Sequence, residues 1–478
     1  MTINGDDALM DVPNPRTGEV DYQLEPYSAE QLGSVADSLR AAQMVWEAGG
    51  LEARCQAMRQ WIVALKKRES AIVDALSLDT GRRAISRGEF GGTLGAIERW
   101  CGLAPELMAT TSRPSRVMPH VELAEQLVPY PLLGVISPWN FPLTLSLIDA
   151  IPALLAGCAV MIKPSEVTPR FVEPLNNALA EVPELARVLA FTPGGAETGQ
   201  ALIEQVSAVA FTGSVVTGRK VAEAAARHFI PAFLELGGKD PAIVLEDADL
   251  ERAATALLRG SVVATGQACQ SIERIYVARS RYQEFVDLLA EKAGAVETTD
   301  QGMQSGHLGP FIFGPQAGKV LAQVEQAVKA GATVVSGGKS IRNGGAWLAP
   351  TILTGVDHDM AVMREETFGP VLPVMAFDSV EEALALANDS EYGLSGCVFG
   401  ADETQCLAVA RRLNVGGVSI NDASMTSMIF EAEKNAFGES GLGASRMGPS
   451  GLTRFLRKKA LYINRGEVMP IDAVRESE

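Results

Sequence analysis

The stretch Leu133-Gly134-Val135-Ile136-Ser137-Pro138-Trp139-Asn140-Phe141-Pro142 is an apolar run that halts at serine and proline and then restarts as an apolar, helix-compatible segment. A short continuous run of this kind, closed by turn-forming residues and followed by a helix, reads as a strand buried on both faces of a parallel sheet. The rhythm repeats at residues 159–162, 206–211 and 242–245, each run ending at or next to polar, Gly or Pro residues. It returns later in strands at 275–277, 332–335, 371–377 and 415–420, with helical patterns at 281–295, 317–330, 380–388 and 403–413 between or after them. Strand and helix in alternation predict an α/β fold of two successive doubly wound parallel-sheet units, joined near Leu236 to Gly238.

Working outward, Ser28 and Gln31 have the spacing of a capping box, and Leu32, Val35, Ala36, Leu39 and Trp46 follow at helical intervals. Cys55, Met58, Ile62 and Leu65 mark a second helix, and Ile72 and Leu76 a third that Thr80-Gly81 ends. This helical start is expected to cover the first sheet, and the polar tail 471–478 to be frayed.

Composition narrows the function. With 58 acidic against 41 basic side chains the net charge is −17, which repels nucleic acid and anionic membranes. The greasiest stretch, 147–162, is too short for a confident span and contains Asp149 and Pro152, so it predicts a buried helix running into a strand. The acidic opening Met1-Thr2-Ile3-Asn4-Gly5-Asp6-Asp7 lacks the basic start and apolar core of a signal peptide, which predicts a cytoplasmic protein. Cys55, Cys101, Cys158, Cys269, Cys397 and Cys406 fall at irregular spacings without a Cys-x-x-Cys pair, and histidines number only 4, so neither a metal site nor a disulfide framework is expected.

Six segments carry chemistry. In Gly266-Gln267-Ala268-Cys269-Gln270 the glycine lets the backbone approach a ligand closely, and the thiol can form a covalent acyl intermediate; the competing reading is a packed cysteine. In Leu234-Glu235-Leu236-Gly237-Gly238-Lys239 a carboxylate among apolar groups is suited to activating water, or else pairs with Lys239 at the surface. Within Pro138 to Pro142 the Asn140 amide is a rigid oxyanion donor or a helix cap. Lys163-Pro164-Ser165-Glu166 sits at a strand's carboxyl end, where ribose hydroxyls bind in open α/β sheets; a solvated lysine is the alternative. Phe211-Thr212-Gly213-Ser214 with Gly218 opens a helix suited to pyrophosphate, or serine is a plain cap. In Glu366-Thr367-Phe368-Gly369-Pro370 a carboxylate and a ring suit a second ribose and a nicotinamide, or form a charged loop before a strand.

Taken in this order, with the interval from Glu235 to Cys269, these segments resemble the aldehyde dehydrogenase superfamily as far as about residue 465. The resemblance implies two Rossmann-like doubly wound domains plus a small β oligomerisation arm. It divides the chain into a dinucleotide-binding domain (1–110 and 131–236), a catalytic domain (237–445), an arm (111–130 and 455–470) and a tail (471–478). It implies Cys269 as nucleophile, Glu235 as base and Asn140 as oxyanion donor. Ile136, Ser137, Trp139, Lys163, Ser165, Glu166, Gly213, Ser214, Leu236, Glu366 and Phe368 would hold NAD, with NADP admissible because Glu166 can rotate away from a 2′-phosphate. Leu145, Ile148, Gln270, Met425 and Phe437 would line the substrate tunnel.

The resemblance also implies a homodimer or homotetramer and an aldehyde substrate, with no nucleic acid, membrane or metal partner. Ala436-Phe437-Gly438-Glu439 departs from the usual Pro-Phe-Gly-Gly, and the stretch 425–435 looks longer than usual, both where substrate would enter. The apolar Leu145 and Ile148, with no arginine placed for a second carboxylate, favour an apolar aliphatic or aromatic aldehyde. CoA-acylating and semialdehyde enzymes are the alternatives, and a non-catalytic relative a remote one.

Overall fold

The computed structural model describes residues 9–476, and the acidic opening lies outside them. Two sheets organise the chain. The first runs in the order Gly441–Leu442, Ala232–Glu235, Ala208–Thr212, Leu132–Ile136, Ala159–Lys163 and Leu189–Phe191. All its neighbours are parallel except Gly441–Leu442, which lies antiparallel on Ala232–Glu235. The second runs in the order Thr333–Ser336, Thr351–Thr354, Val371–Phe377, Ile272–Ala278, Asp240–Val244, Ser395–Phe399 and Gly417–Ile420. Its strands are parallel apart from Thr333–Ser336, which the sequence rhythm had assigned to the parallel set but which pairs antiparallel with Thr351–Thr354 at the sheet edge. The chain crosses from one sheet to the other between Glu235 and Asp240.

Local physics explains the elements. Ser28 and Gln31 form the reciprocal capping box, opening Ala29–Ala48, whose Leu32, Ala36, Leu39 and Trp46 are buried. These residues join Met58, Trp61, Leu133 and Val160 in one core, so the helical start does cover the first sheet. The greasy stretch 147–162 is the helix Ala150–Ala156 running into the strand Ala159–Lys163, as its length predicted.

The 25-residue helix Arg83–Leu107 was not anticipated. Gly88, Gly91, Gly92, Gly95 and Gly102 lower its helix propensity, and nothing lies within 4 Å of where a Cβ would stand at any of them. Packing holds this helix, through Phe90, Thr93, Ile97, Trp100 and Ala104, a buried stripe at spacings of three and four.

A separate three-stranded sheet, Leu456–Asn464 against Val121–Pro129 against Ser112–Pro114, joins the first core only at its base, through Leu456 and Leu127. In the tail, Ile471–Val474 forms a short exposed 3-10 turn. No helix among the described residues is long and apolar enough to cross a membrane.

Candidate active site

In the first sheet, Leu132–Ile136 has the chain's next strand, Ala159–Lys163, on one side and the later Ala208–Thr212 on the other. Connections therefore diverge at this strand, and loops beyond its carboxyl end open a crevice where open α/β sheets take ligands. Asn140, Lys163, Ser165, Glu166, Gly213 and Ser214 all follow these strand ends.

The Asn140 loop is braced from the helix the sequence did not reveal. Arg82 donates to the Asn140 carbonyl and, at 3.3 Å, to that of Ala264, while its guanidinium lies over the Phe141 ring. Glu89 accepts from the backbone N–H groups of Leu143 and Thr144 at 3.1 and 3.0 Å, satisfying the start of the helix Pro142–Leu147. Phe141, not Asn140, occupies the cap position. The Asn140 amide is thereby free to donate to the Gln267 carbonyl at 3.0 Å, which points it at the cysteine loop.

Cys269 lies in the turn between the 3-10 segment Val263–Gly266 and the strand Ile272–Ala278. Ala264, Thr265 and Gly266 are all left-handed, at φ 57°, 61° and 68°. A Cβ at Gly266 would fall 2.4 Å from the Gly369 carbonyl oxygen, so this glycine serves the meeting of two loops rather than close approach to a ligand. Burial pushes the Cys269 thiol up to about 12; Lys434 opposes that shift, and the charges of Glu235, Asp240 and Glu366 add to it. The other five cysteines are buried and free.

Glu235 ends its strand, and the turn after it packs tightly. At Gly238 a Cβ would stand 2.6 Å from the Cys269 carbonyl oxygen, and at Gly237 it would meet the Glu366 carboxylate at 2.7 Å. Thus the double glycine admits both the cysteine loop and Glu366, whose carboxyl accepts from the Gly238 N–H at 3.1 Å. Burial, then the neighbouring Glu273, raises the Glu366 carboxyl to about 7.

The surface pair of Glu235 with Lys239 does not exist. Lys239 is buried and donates to Glu273 at 2.8 Å and to the Thr367 hydroxyl at 2.9 Å. Glu273 also accepts from the N–H groups of Thr367 and Phe368, both at 2.8 Å, which fixes Phe368 at φ 53°. The Phe368 ring meets Trp139 edge-on at 5.4 Å. Arg274 is buried and donates to the carbonyls of Lys239, Leu386 and Ala387.

Behind Glu235 stands Arg446, whose Nε is 3.9 Å from Oε1. Arg446 is buried and donates through Nη2 to Asp149 at 2.7 Å and to the Thr212 hydroxyl at 2.6 Å, and Arg454 holds the other Asp149 oxygen.

At the crevice, Lys163 and Glu166 pair at 2.9 Å, with Lys163 buried and Glu166 half-buried. Ser165 is buried and accepts from the Val167 N–H at 3.2 Å; Ser137 shares a 2.7 Å hydroxyl contact with Ser146, beside buried Ile136. The Gly213 N–H donates to the Glu235 carbonyl at 3.1 Å, and Ser214 caps the helix Val215–Arg227. Gly218 serves packing, since a Cβ there would strike buried Leu236 at 2.4 Å.

Among the tunnel candidates, Leu145 and Ile148 are half-buried one helical turn apart. Gln270 accepts from the Thr426 hydroxyl at 2.5 Å and, at its carbonyl, from the Ser424 hydroxyl at 3.1 Å, which brings half-buried Met425 against the cysteine loop. Phe437 is exposed, in a two-residue strand against Tyr392–Gly393.

Sequence reasoning passed over Arg82, Glu89, Glu273, Lys434 and Arg446. Lys434 lay inside the stretch 425–435 already singled out, Glu273 four residues past Cys269 and Arg446 just beyond the Ala436-Phe437-Gly438-Glu439 segment, but nothing local marked their partners.

The sequence model described as the Aldehyde dehydrogenase family matches residues 3–461. Geranial dehydrogenase of Castellaniella defragrans is 34% identical over 460 residues, covering 94% of both chains. The structure of PutA from Anabaena variabilis superposes at a TM-score of 0.95 with 53% identity, covering 97% of this chain and 99% of that one. A betaine aldehyde dehydrogenase from Staphylococcus aureus, solved in complex with NAD+, superposes at 0.91 with 29% identity, covering 98% and 94%. The chain belongs to the aldehyde dehydrogenase family, NAD(P)-dependent oxidoreductases that act on an aldehyde group.

Proposed function

We propose that this chain oxidises an aldehyde to the free carboxylic acid, with Cys269 as nucleophile and Glu235 as the base for hydrolysis. One observation carries the reading: the turn after Glu235 packs against the Cys269 carbonyl through Gly238 and against Glu366 through Gly237. The Cys269 sulfur attacks the aldehyde carbon and forms a thiohemiacetal. The Asn140 amide and the Cys269 main-chain N–H hold its oxygen; support comes from the Asn140 amide pointing toward the cysteine loop. After oxidation to the thioester, Glu235 takes a proton from water, the hydroxyl adds to the thioester carbon, and the thiolate leaves.

A dinucleotide suits the groups present. Lys163, Ser165 and Glu166 would hold the adenosine ribose, Gly213 and Ser214 the pyrophosphate, Ile136, Ser137, Trp139 and Leu236 the walls, and Glu366 with Phe368 the nicotinamide end. Acidic Glu366 beside the Gly238 N–H, and paired Lys163 and Glu166 at a strand end, are the donor and acceptor set that ribose hydroxyls need. When bound, the nicotinamide supplies the acceptor for hydride. Glu166 favours NAD over NADP, because a 2′-phosphate would face its carboxylate.

Half-buried Leu145 and Ile148, and half-buried Met425 in the segment held against Gln270, support an apolar aliphatic or aromatic substrate. A second reading rests on Lys434, half-buried, without an ion-pair partner among the described residues, and close enough to act on Cys269. That cation suits an aldehyde bearing an anionic group. Comparing kcat/KM for neutral and carboxylated aldehydes of equal length separates the two. We further propose a cytoplasmic homodimer or homotetramer assembled through the sheet of Ser112–Pro114, Val121–Pro129 and Leu456–Asn464, whose exposed Tyr462 and Val117 suit burial by another copy.

Glu235→Gln tests the chemistry. It should release one equivalent of NADH in a burst and then stall, with steady turnover down roughly 10²- to 10⁴-fold. Undiminished turnover would remove Glu235 as base.

A further inference from the structure

Arg82, Arg446 and Arg454 are buried with an Nε that has no hydrogen-bond partner, and of the three only Arg446 forms an ion pair with Glu235. Its Nη2 serves Asp149 and the Thr212 hydroxyl, at 2.7 and 2.6 Å, yet its Nε has no hydrogen-bond partner. Both anchors are firm: Thr212 ends the strand beside Glu235, and Asp149 is buried and also held by Arg454. The free Nε lies 3.9 Å from the Glu235 carboxylate, the only ion-pair partner of that carboxylate among the described residues. A buried donor left unmatched is costly, so a carboxylate that can swing one rotamer closer gains a charge-assisted bond there.

Arg446 and Arg454, which share Asp149, both act on Glu235, and Arg446 also acts on Cys269; Cys269 is further faced by Glu235, Asp240, Glu366 and Lys434. A Glu235 carboxylate leaning on the sulfur opposes thiolate formation; one leaning on Arg446 does not.

We infer that Arg446 is a positioning residue that holds the Glu235 carboxylate back from Cys269 until the thioester has formed. This rests on the reading of Glu235 as the base. The residue acts on timing: the carboxylate is kept at a distance during attack by sulfur and is released to bind water afterwards. Asp149 and Thr212 hold the guanidinium through Nη2 and leave Nε 3.9 Å from the Glu235 carboxylate.

The test is a double-mutant cycle read by iodoacetamide alkylation of Cys269, located by peptide mass, alongside the NADH burst. Arg446→Met should slow alkylation on the order of tenfold at pH 8 and slow the burst, because Glu235 then leans on the sulfur. In a Glu235→Gln background the same substitution should change alkylation by less than about twofold. Arg446→Lys, a cation without the planar fork, should fall between Arg446→Met and the unaltered chain. Should Arg446→Met fail to fold, Thr212→Val removes one anchor and keeps the charge; it should slow alkylation in the same direction, again only when Glu235 is present. Equal slowing in both backgrounds would mean that Arg446 acts on the sulfur directly and would overturn the inference. Turnover persisting in Glu235→Gln would instead remove the reading of the base, a separately visible result.

Discussion

The buried pair Lys239 and Glu273 should control the loop that carries Glu366 and Phe368, and Glu273→Gln exposes this. The Glu273 side chain is 3% exposed and accepts from Lys239, the Thr367 N–H and the Phe368 N–H, each at 2.8 Å. An amide in its place keeps the shape but removes the charge and one acceptor: its single oxygen can serve Lys239, with 0% side-chain exposure, and the Thr367 N–H, or else the Phe368 N–H, and its NH2 group faces the donors left over. Removing one partner of a buried pair costs about 3–5 kcal/mol, and the backbone bonds to the carboxylate are part of that sum. If release of the loop relieves the strain, NAD binding weakens by roughly a hundredfold or more, at about 1.4 kcal/mol per tenfold.

The loss should also depend on pH. Burial holds the Lys239 ammonium below its usual range and Glu273 chiefly opposes that; without Glu273 the lysine loses its proton at still lower pH when folded. The unfolded chain then binds the extra proton, so stability of the variant rises with pH across that interval. Urea denaturation and NAD titration at pH 7 and pH 9.5 measure both effects. Parental stability and NAD affinity at pH 7, or a deficit that does not shrink at pH 9.5, would refute the reasoning.

Glu366 should make cofactor affinity pH-dependent. With its carboxyl raised to about 7, acidification protonates the free enzyme first, so NAD affinity should fall about tenfold per unit below pH 7 and level off above it; in Glu366→Gln, titration should give weaker but flat binding. The Cys269 thiol, pushed up to about 12, should alkylate about tenfold faster per pH unit from 7 to 10 with no plateau. Lys434→Met should slow that alkylation several-fold throughout, since Lys434 is the leading charge opposing the shift; a plateau below pH 9, or an unchanged rate in the variant, would count against it.

How far the sequence could be read follows from the range of each interaction. Strands buried on both faces announce themselves as unbroken apolar runs, and the box at Ser28 and Gln31 as a local spacing, so both sheets and the first helix were legible. The helix Arg83–Leu107 was not, because its glycines argue against helix and its buried stripe acquires meaning only against a partner. At the site, Cys269, Glu235 and Asn140 sit in local motifs. Their supports do not: Arg82 reaches the Asn140 loop across 58 residues, and Arg446 reaches Asp149 across 297. Gly266 and Gly218 were assigned to ligands, whereas they, together with Gly237 and Gly238, chiefly make room for other parts of the protein.

The antiparallel strand Gly441–Leu442, paired with Leu234 and Glu235, bears on how the enzyme is born. On the ribosome about 200 further residues must emerge after Glu235 before that partner does, so the first sheet keeps an open edge beside its proposed base throughout that interval. Arg446 arrives only a few residues later. A chain cut short between Glu235 and Gly441 would therefore carry the first sheet with one edge unpaired and prone to self-association, and quality control would meet it before any aldehyde did.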